Sequence, residues 1–298
     1  INGDFSSIDE IDLCHSLGTT LVTVGNNGKI ETNKLFNSQN TEFKNEGADK
    51  WISNNGIIST SESFTIPSGY FVENTDTGTI QILGGSYENA NVDSDGTTPS
   101  LLGGTFEILG DAQINGSNTF DKVNIVRANS IFNGSNTFND LIIHNTSTDE
   151  TTVTTPITIT FKEGETQTIN NKLEIKGELK ALVQLRSSVE GNIWNIKAPS
   201  DSQSDEESVS IVYADVMDST STNPIYVETS NDSGNNTNWH FFQEFHWNGN
   251  GNSWEVDTTS TKNWSSMNYA TGVETEVESY PKNEDHIAIV GIIHGDTP

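Results

Sequence analysis

A six-residue motif, Asn-Gly-Ser-Asn-Thr-Phe, occurs twice in this chain, at residues 115–120 and again, 18 residues later, at 133–138. An alternating apolar stretch follows each copy, at 123–126 and at 141–143. A period near 18 residues is too short for the common helical repeats of about 33 or 34 residues, and it suits one coil of a parallel β-helix. The motif therefore predicts stacked coils in which Phe120 and Phe138 occupy equivalent places.

A second, looser echo relates Gly84-Gly-Ser-Tyr87 to Gly103-Gly-Thr-Phe106, at a spacing of 19 residues. In stacked coils, Asn, Ser and Thr at matching positions form hydrogen-bonded ladders, and Ile, Val and Phe fill the interior. Glycine at the corners supplies backbone angles that other residues resist. The same patterns leave one alternative open, a local duplication of two hairpins in a β-sandwich.

The composition favours ordered strands with many polar turns. Hydrophobic residues make up 32% of the chain, which is low for a globular core, and Asn, Ser, Thr and Gly fill the difference. No window keeps a 3.6-residue period, so we expect very little helix. The prediction is an all-β chain with a parallel β-helix over residues 1–240 and a small Trp-rich β unit over 241–298.

The charge balance excludes two classes of partner. The chain has 42 acidic and 14 basic residues, and its net charge is −28. Nucleic-acid binding needs Lys and Arg to displace counterions, and docking on an anionic membrane needs the same charge. The acidic surface favours solubility and could attract divalent cations.

Three further features bear on membrane insertion, disulfide bonding and the origin of the chain. No apolar run approaches the roughly 18 residues of a membrane-spanning helix, so membrane insertion is not expected. The single cysteine, Cys14, allows no intrachain disulfide. The chain begins at Ile1 without a visible signal peptide, which indicates a mature product or an excised segment.

An ordered series of short motifs runs through residues 157–239. The series comprises Phe161-x-x-Gly164-x-Thr166, a strand ending at Gly177, Leu185-Arg-Ser-Ser188, Gly191-x-x-Trp194, the Asp-containing stretch 212–218 and an Asn-rich end at Trp239. Its order and spacing resemble segments of large bacterial surface proteins that contain right-handed β-helix repeats. The resemblance implies a right-handed solenoid in an adhesin or filamentous surface protein outside the cell. It does not imply a catalytic site.

The tail carries a second resemblance to such proteins. Trp247-Asn-Gly-Asn-Gly-Asn-Ser-Trp254, Trp264, Pro281 and Asp285 are similar to the units that open repeats in that family. Trp247, Trp254 and Trp264 have two interpretations: exposed rings could stack on the sugars of surface glycans, or buried rings could form the core of a small unit. The close Gly and Asn residues indicate tight turns and favour a core.

Asp93 and Asp95, in Asp93-Ser-Asp-Gly96, resemble half of a calcium loop. A full loop needs further oxygen ligands and usually a late bidentate acid, and no Glu stands at that place. Calcium is thus the only cofactor considered, and the alternative is a Gly-containing turn. The acidic residues Asp201, Asp205, Glu206 and Glu207 are interpreted as a solvated loop.

The sequence contains none of the common catalytic motifs that we considered for it: a zinc-binding histidine pair, a nucleophile elbow or a phosphate-binding loop. The six histidines are dispersed, and neither Gly-x-Ser-x-Gly nor a phosphate-binding glycine loop occurs. Since β-helices include polysaccharide lyases and hydrolases, the alternative to a structural protein is an enzyme of that kind. Such an enzyme would need carboxylates that converge in a groove, sometimes with Arg or Lys, and we expect Arg186 to make a structural pair instead.

The most apolar segment of the chain is 286–293. An apolar strand left at a free edge would aggregate, so it is expected to pair within the chain or with another subunit. The residues proposed for assembly are Ile287, Ile289, Val290, Ile292 and Ile293. They predict copies joined head to tail, and the competing interpretation is a monomeric module of a giant adhesin. The overall expectation is a non-enzymatic, structural or adhesive extracellular protein.

Overall fold

A computed structural model describes residues 4–6, 10–11, 22–24, 29–35, 52–66, 72–89, 101–148, 152–199, 208–247, 264–277 and 286–289. Every regular element in these ranges is a β-strand. The ranges contain no helix that is long and apolar enough to cross a membrane. The predicted all-β class is confirmed.

The strands fall into three groups along the chain. The described part of residues 1–100 contains β1 (Asp4–Ser6), β2 (Glu10–Ile11), β3 (Val22–Val24), β4 (Lys29–Leu35), β5 (Ile52–Asn54), β6 (Ile57–Ile66), β7 (Val72–Asn74), β8 (Thr79–Ile82) and β9 (Gly85–Asn89). The middle group contains β10 (Leu101–Ile108), β11 (Ala112–Asn115), β12 (Thr119–Val126), β13 (Ser130–Asn133), β14 (Thr137–His144), β15 (Ile157–Phe161), β16 (Thr166–Lys176), β17 (Val183–Ser187), β18 (Trp194–Lys197), β19 (Val209–Val212), β20 (Ala214–Val216), β21 (Ser219–Val227), β22 (Asn231–Asp232) and β23 (Thr237–Phe241). The last group contains β24 (Gln243–Trp247), β25 (Trp264–Asn268), β26 (Val273–Val277) and β27 (His286–Ile289).

Twenty of these strands form one sheet, and its strand pairings are all parallel. Strands pair with strands one coil away, as β12 does with β10 and β13 does with β11. The fold is therefore a solenoid-like parallel β structure. Two hairpins in a β-sandwich would pair antiparallel, so that alternative is wrong.

The coil has three faces, which follow one another along the chain. Face 1 contains the first residues of β10, β12, β14 and β16, and then β18 and β21. Earlier in the chain, β3, β5 and β7 pair with one another in a separate three-stranded parallel sheet. Face 2 contains the first part of β4 and β6, then β8, the ends of β10, β12, β14 and β16, and β19. Face 3 contains the end of β6, then β9, β11, β13, β15, β17, β20 and β22.

The 18-residue repeat corresponds to one coil. Phe120 lies in register with Phe138 on face 1, and Asn115 lies in register with Asn133 on face 3. The strands β12 and β14 also share one alternation of buried and half-buried side chains. The sequence prediction that like residues lie over like is confirmed for this repeat.

The 19-residue echo between residues 84–87 and 103–106 does not correspond to one coil. Tyr87 lies on face 3 in register with Ile114, whereas Phe106 lies on face 2 in register with Ile80. One coil here advances from Thr79 to Thr105, which is 26 residues, because a longer connection follows β9. The two motifs nevertheless meet inside the coil, where the rings of Tyr87 and Phe106 lie 4.8 Å apart.

Aromatic rings fill the interior as a continuous column, and each ring centroid lies 4.3–6.5 Å from the next. The column runs through Phe64, Tyr87, Phe106, Phe120, Phe138, Phe132, Phe161, Trp194 and Trp239, all of them buried. Ile, Leu and Val side chains on the three faces surround it in one core. Burial of each large ring contributes to stability through both apolar area and ring contacts.

The corners of the coil use two kinds of residue. Between face 3 and face 1, Gly116 and Gly191 have φ of +76° and +84°, as expected of glycine at a corner. Between face 2 and face 3, Arg127 and Tyr213 have φ of 53° and 54°, which is uncommon for residues with a Cβ. No sequence motif indicates these last two positions.

The C-terminal strands form a separate mixed sheet in the order β26-β25-β24-β27. β25 pairs antiparallel with β24 and β26, and β27 pairs parallel with β24. Phe245 and Trp264 are fully buried within it. The two sheets are separated at Phe242, close to the predicted boundary after residue 240, and the division into two domains stays a prediction.

Candidate functional site

Buried amides form a ladder where the chain enters face 1. Asn118 Nδ2 donates to Asn136 Oδ1 over 3.1 Å, and Asn136 Nδ2 donates to Gln167 Oε1 over 3.0 Å. The same amides bind corner backbone groups, since Asn118 N donates to Asn136 Oδ1 and Gln167 Nε2 donates to Gly134 O. Because unpaired buried polar groups are costly, this ladder fixes the corner as well as the stacking.

A second amide ladder lies at another corner, where the chain passes to the face 2 strands β6 and β8. Asn54 Nδ2 donates to Asn74 Oδ1 over 2.7 Å, and Asn74 Nδ2 donates to the Gly103 carbonyl over 2.7 Å. A Cβ at Gly103 would lie 2.5 Å from the carbonyl oxygen of Asn74. Glycine at 103 therefore allows the close approach by which a backbone carbonyl continues the ladder.

Outer carboxylates pair with amides of a neighbouring coil. Asn129 Nδ2 lies 3.2 Å from both Asp111 carboxylate oxygens, and Asn139 Nδ2 donates to Asp121 Oδ1 over 2.7 Å. Asn171 Nδ2 likewise donates to Asp140 over 2.7 Å. Stacking an amide rather than a second carboxylate on each acid avoids like-charge contacts in this acidic chain.

The carboxylate of Glu174 on face 2 is surrounded by two lysines and a histidine. Lys172 Nζ and Lys176 Nζ lie 2.6 Å and 2.7 Å from the Glu174 carboxylate, and His144 Nε2 lies 2.7 Å from it. Burial acts to raise the pKa of Glu174, but the hydrogen bonds from these three side chains outweigh it and lower the pKa to about 2. Lys172, Glu174 and Lys176 alternate along one strand, a pattern that sequence reasoning could have found.

Arg186 makes the structural pair expected of it. Its Nη2 donates to Asp215 Oδ2 and its Nη1 donates to the Asp215 carbonyl, both over 2.6 Å. Ser233 Oγ donates to the other carboxylate oxygen of Asp215 over 2.5 Å. The buried Asp215 thus links three successive coils through its own side chain.

The predicted calcium ligands Asp93 and Asp95 lie outside the described residues, as do the acidic residues 201–207. Within the described ranges, no group of three or more His, Cys, Asp or Glu residues could hold a metal ion. The carboxylates that the structure describes in detail accept hydrogen bonds from amides, hydroxyl groups or basic side chains.

The tail tryptophans occupy different positions. Trp264 is fully buried, and its ring centroid lies 5.1 Å from that of the half-buried Trp247. A ring without exposed surface offers no face to a sugar, so the stacking hypothesis is wrong for Trp264. Trp239 packs on Trp194 in the coil, and Trp254 lies outside the described residues.

Two of the residues proposed for assembly lie in a described strand. Ile287 and Ile289 belong to β27, where they are in register with Glu244 and His246 of β24. The terminal strand is therefore paired within the chain along one edge. Val290, Ile292 and Ile293 lie outside the described residues.

Stacked coils and buried amide ladders define a solenoid-like parallel β protein. Comparison with protein-family models, with curated proteins and with solved structures finds no match to this chain.

Proposed function

We propose that this chain is an extracellular structural or adhesive protein, a module or subunit of a surface fibre or giant adhesin. The observation that carries the proposal is the stacking of Phe120 on Phe138 in register, at a centroid distance of 5.7 Å. A coil that repeats in this way extends by simple addition of coils. Eight strands pair successively along face 2, from β4 to β19, which corresponds to about 34 Å of solenoid.

The polar groups of the coil support a scaffold over a polysaccharide-cleaving enzyme. Asp111, Asp121 and Asp140 each accept a hydrogen bond from an Asn amide of an adjacent coil. Carboxylates used in this way hold neighbouring coils together, whereas glycoside cleavage needs two of them facing one bond. Release of new sugar ends from a panel of neutral and acidic polysaccharides would favour the enzyme instead.

We also propose that the solenoid is right-handed. Parallel strands joined by crossovers in one sheet are right-handed in about 98% of cases, since right-twisted strands pack back only that way. The motif series from Phe161 to Trp239 resembles right-handed repeats, which supports the same handedness. A density map at side-chain resolution that traces a left-handed coil would contradict this part.

The proposed partner is a second copy of the chain, joined head to tail. β27 lies at one end of the C-terminal sheet and pairs with β24, so among the described strands its other edge is open to strand addition. Surface glycans and calcium remain further proposed ligands, through Trp247 and through Asp93 with Asp95.

The test is electron microscopy of the purified full chain beside two variants. One variant ends at Asp285, and the other carries Ile289→Pro, which removes a backbone N–H from the terminal strand; Ile289→Val is the matched control. We expect fibres from the full chain and the control, and single particles from the two variants. Single particles in every sample would contradict the fibre subunit, and fibres after truncation would contradict the terminal-strand joint.

A further inference from the structure

The C-terminal sheet touches the flank of the coil at one corner. The turn between β25 and β26 brings the Tyr269 carbonyl to the backbone N–H of Lys180, which donates to it over 2.9 Å. Lys180 lies in a tight turn where Glu178 and Ala181 bridge, and its φ of 71° is uncommon for a residue with a Cβ. The strained turn directs this N–H away from the coil and towards the C-terminal sheet.

Side chains complete the contact. Tyr269 is only 7% exposed, and its ring meets that of Tyr213 edge to face at 5.9 Å. Gly272 has φ of +65°, and a Cβ there would lie 2.5 Å from Lys180 Cε. The coil thus supplies Tyr213 and Lys180, and the sheet supplies Tyr269 and a glycine that leaves room for the Lys180 stem.

The C-terminal sheet has a core of its own. Its buried residues Phe245 and Trp264 are not part of the continuous core of the coil. Among the described strands, none of the C-terminal sheet pairs with a strand of the coil. Phe242 alone separates β23 from β24. The sheet is therefore built to keep its structure when its contact with the coil opens.

We propose that the 269–272 turn is a reversible latch that docks the C-terminal sheet on the corner between face 2 and face 3. In the docked state the Lys180 N–H is held by Tyr269, and in the open state water takes its place. Among the described residues, the latch includes a backbone hydrogen bond, a ring pair and the packing of the Lys180 stem. Its opening is a local event that leaves the coil and the C-terminal sheet intact. This inference does not depend on fibre formation.

The test is hydrogen exchange of individual backbone amides in the full chain. In Tyr269→Ala, the protection of the Lys180 amide should fall about three- to tenfold, the range that loss of one aromatic pair gives. The amides of Gly177 and Val183, which donate to Val212 and Tyr213 within the coil, should keep their protection. Leu109→Ala, at a side chain 39% exposed between β10 and β11, is the control.

A second variant distinguishes opening of the latch from local unfolding of the C-terminal sheet. Tyr213→Ala alters the coil side only, and it should lower Lys180 protection by a similar factor while the amides of β25 stay protected. The double variant should fall no further than either single one, because both remove the same ring contact. Unchanged Lys180 protection in both single variants, or equal loss in β25 or in the coil amides, would overturn the latch.

Discussion

The ring of Phe120 stacks on the ring of Phe138 with their planes 16° apart, and the two residues are in register on adjacent coils. Each ring also touches a second aromatic neighbour, Phe106 in one case and Phe132 in the other. The ring contacts of the aromatic column therefore continue from coil to coil through this repeat. This relationship explains why one recurrent motif could indicate the architecture of the whole coil.

Replacing Phe138 tests the aromatic column. Phe138→Ala removes a fully buried ring and its contacts with Phe120 and Phe132, and it should lower the free energy of unfolding by about 3–5 kcal/mol. Urea unfolding followed by circular dichroism measures the change. Leu109→Ala, at a side chain 39% exposed, should cost less than about 1 kcal/mol. Equal costs at the two sites would contradict a ring column at the core.

Replacing Asn136 tests the buried amide ladder. Asn136→Ala removes the hydrogen-bond partner of the Asn118 backbone N–H and of Gln167 Oε1, and it should cost about 2–4 kcal/mol in urea unfolding. Asn136→Asp should cost at least as much at pH 7, because a carboxylate would face the acceptor oxygens of Gly134 and Gln167. A neutral outcome for both variants would show that the ladder does not stabilise the coil.

The comparison site is Asn133, whose amide donates to Asn115 Oδ1 from a half-buried position. Asn133→Ala should cost about 0.5–1.5 kcal/mol, because water can replace the lost hydrogen bond.

Glu174 makes the stability of the chain depend on pH in a defined window. Its pKa is about 2 in the folded chain, below the ordinary value of 4.5, so its contribution is complete above pH 4.5 and is lost as the pH falls through 2. After screening by solvent we expect a contribution of about 1 kcal/mol. Glu174→Gln should therefore be less stable than the wild type at pH 6, with the difference shrinking towards pH 2.

Urea unfolding at pH 6, 4 and 2.5 measures this window. Glu107→Gln is the control, because it also removes one negative charge from face 2. The Glu107 carboxylate accepts a hydrogen bond from the Gln81 amide. If Glu174→Gln and the wild type differ by the same amount at every pH, the cationic groups do not act through the Glu174 charge.

Arg186 and Asp215 form the most enclosed ion pair of the described residues, with side chains 18% and 9% exposed. Arg186→Ala leaves a buried carboxylate without its cation and should cost about 2–4 kcal/mol. The double variant Arg186→Ala with Asp215→Asn should recover part of that loss, as measured by thermal unfolding. A double variant less stable than the single one would mean that Arg186 acts mainly through packing.

Local pattern in the sequence determined the strand class and the stacking of one repeat. The motif ending at Phe120 and its copy ending at Phe138 are one coil apart because no insertion interrupts that coil. The alternation of Val123 and Ile125 with polar residues indicated which side chains face inward, since successive side chains in a strand point to opposite faces. These features are properties of one strand or of two coils of equal length.

The tertiary structure alone decided the partners across coils of unequal length. The Gly84 and Gly103 motifs look alike but lie on different faces, because the connection after β9 lengthens that coil. Arg186 meets Asp215, 29 residues later, and Tyr269 meets Tyr213 from a different sheet. Corner loops tolerate insertions at little cost in free energy, so spacing in the sequence does not fix which coils and surfaces meet; packing does.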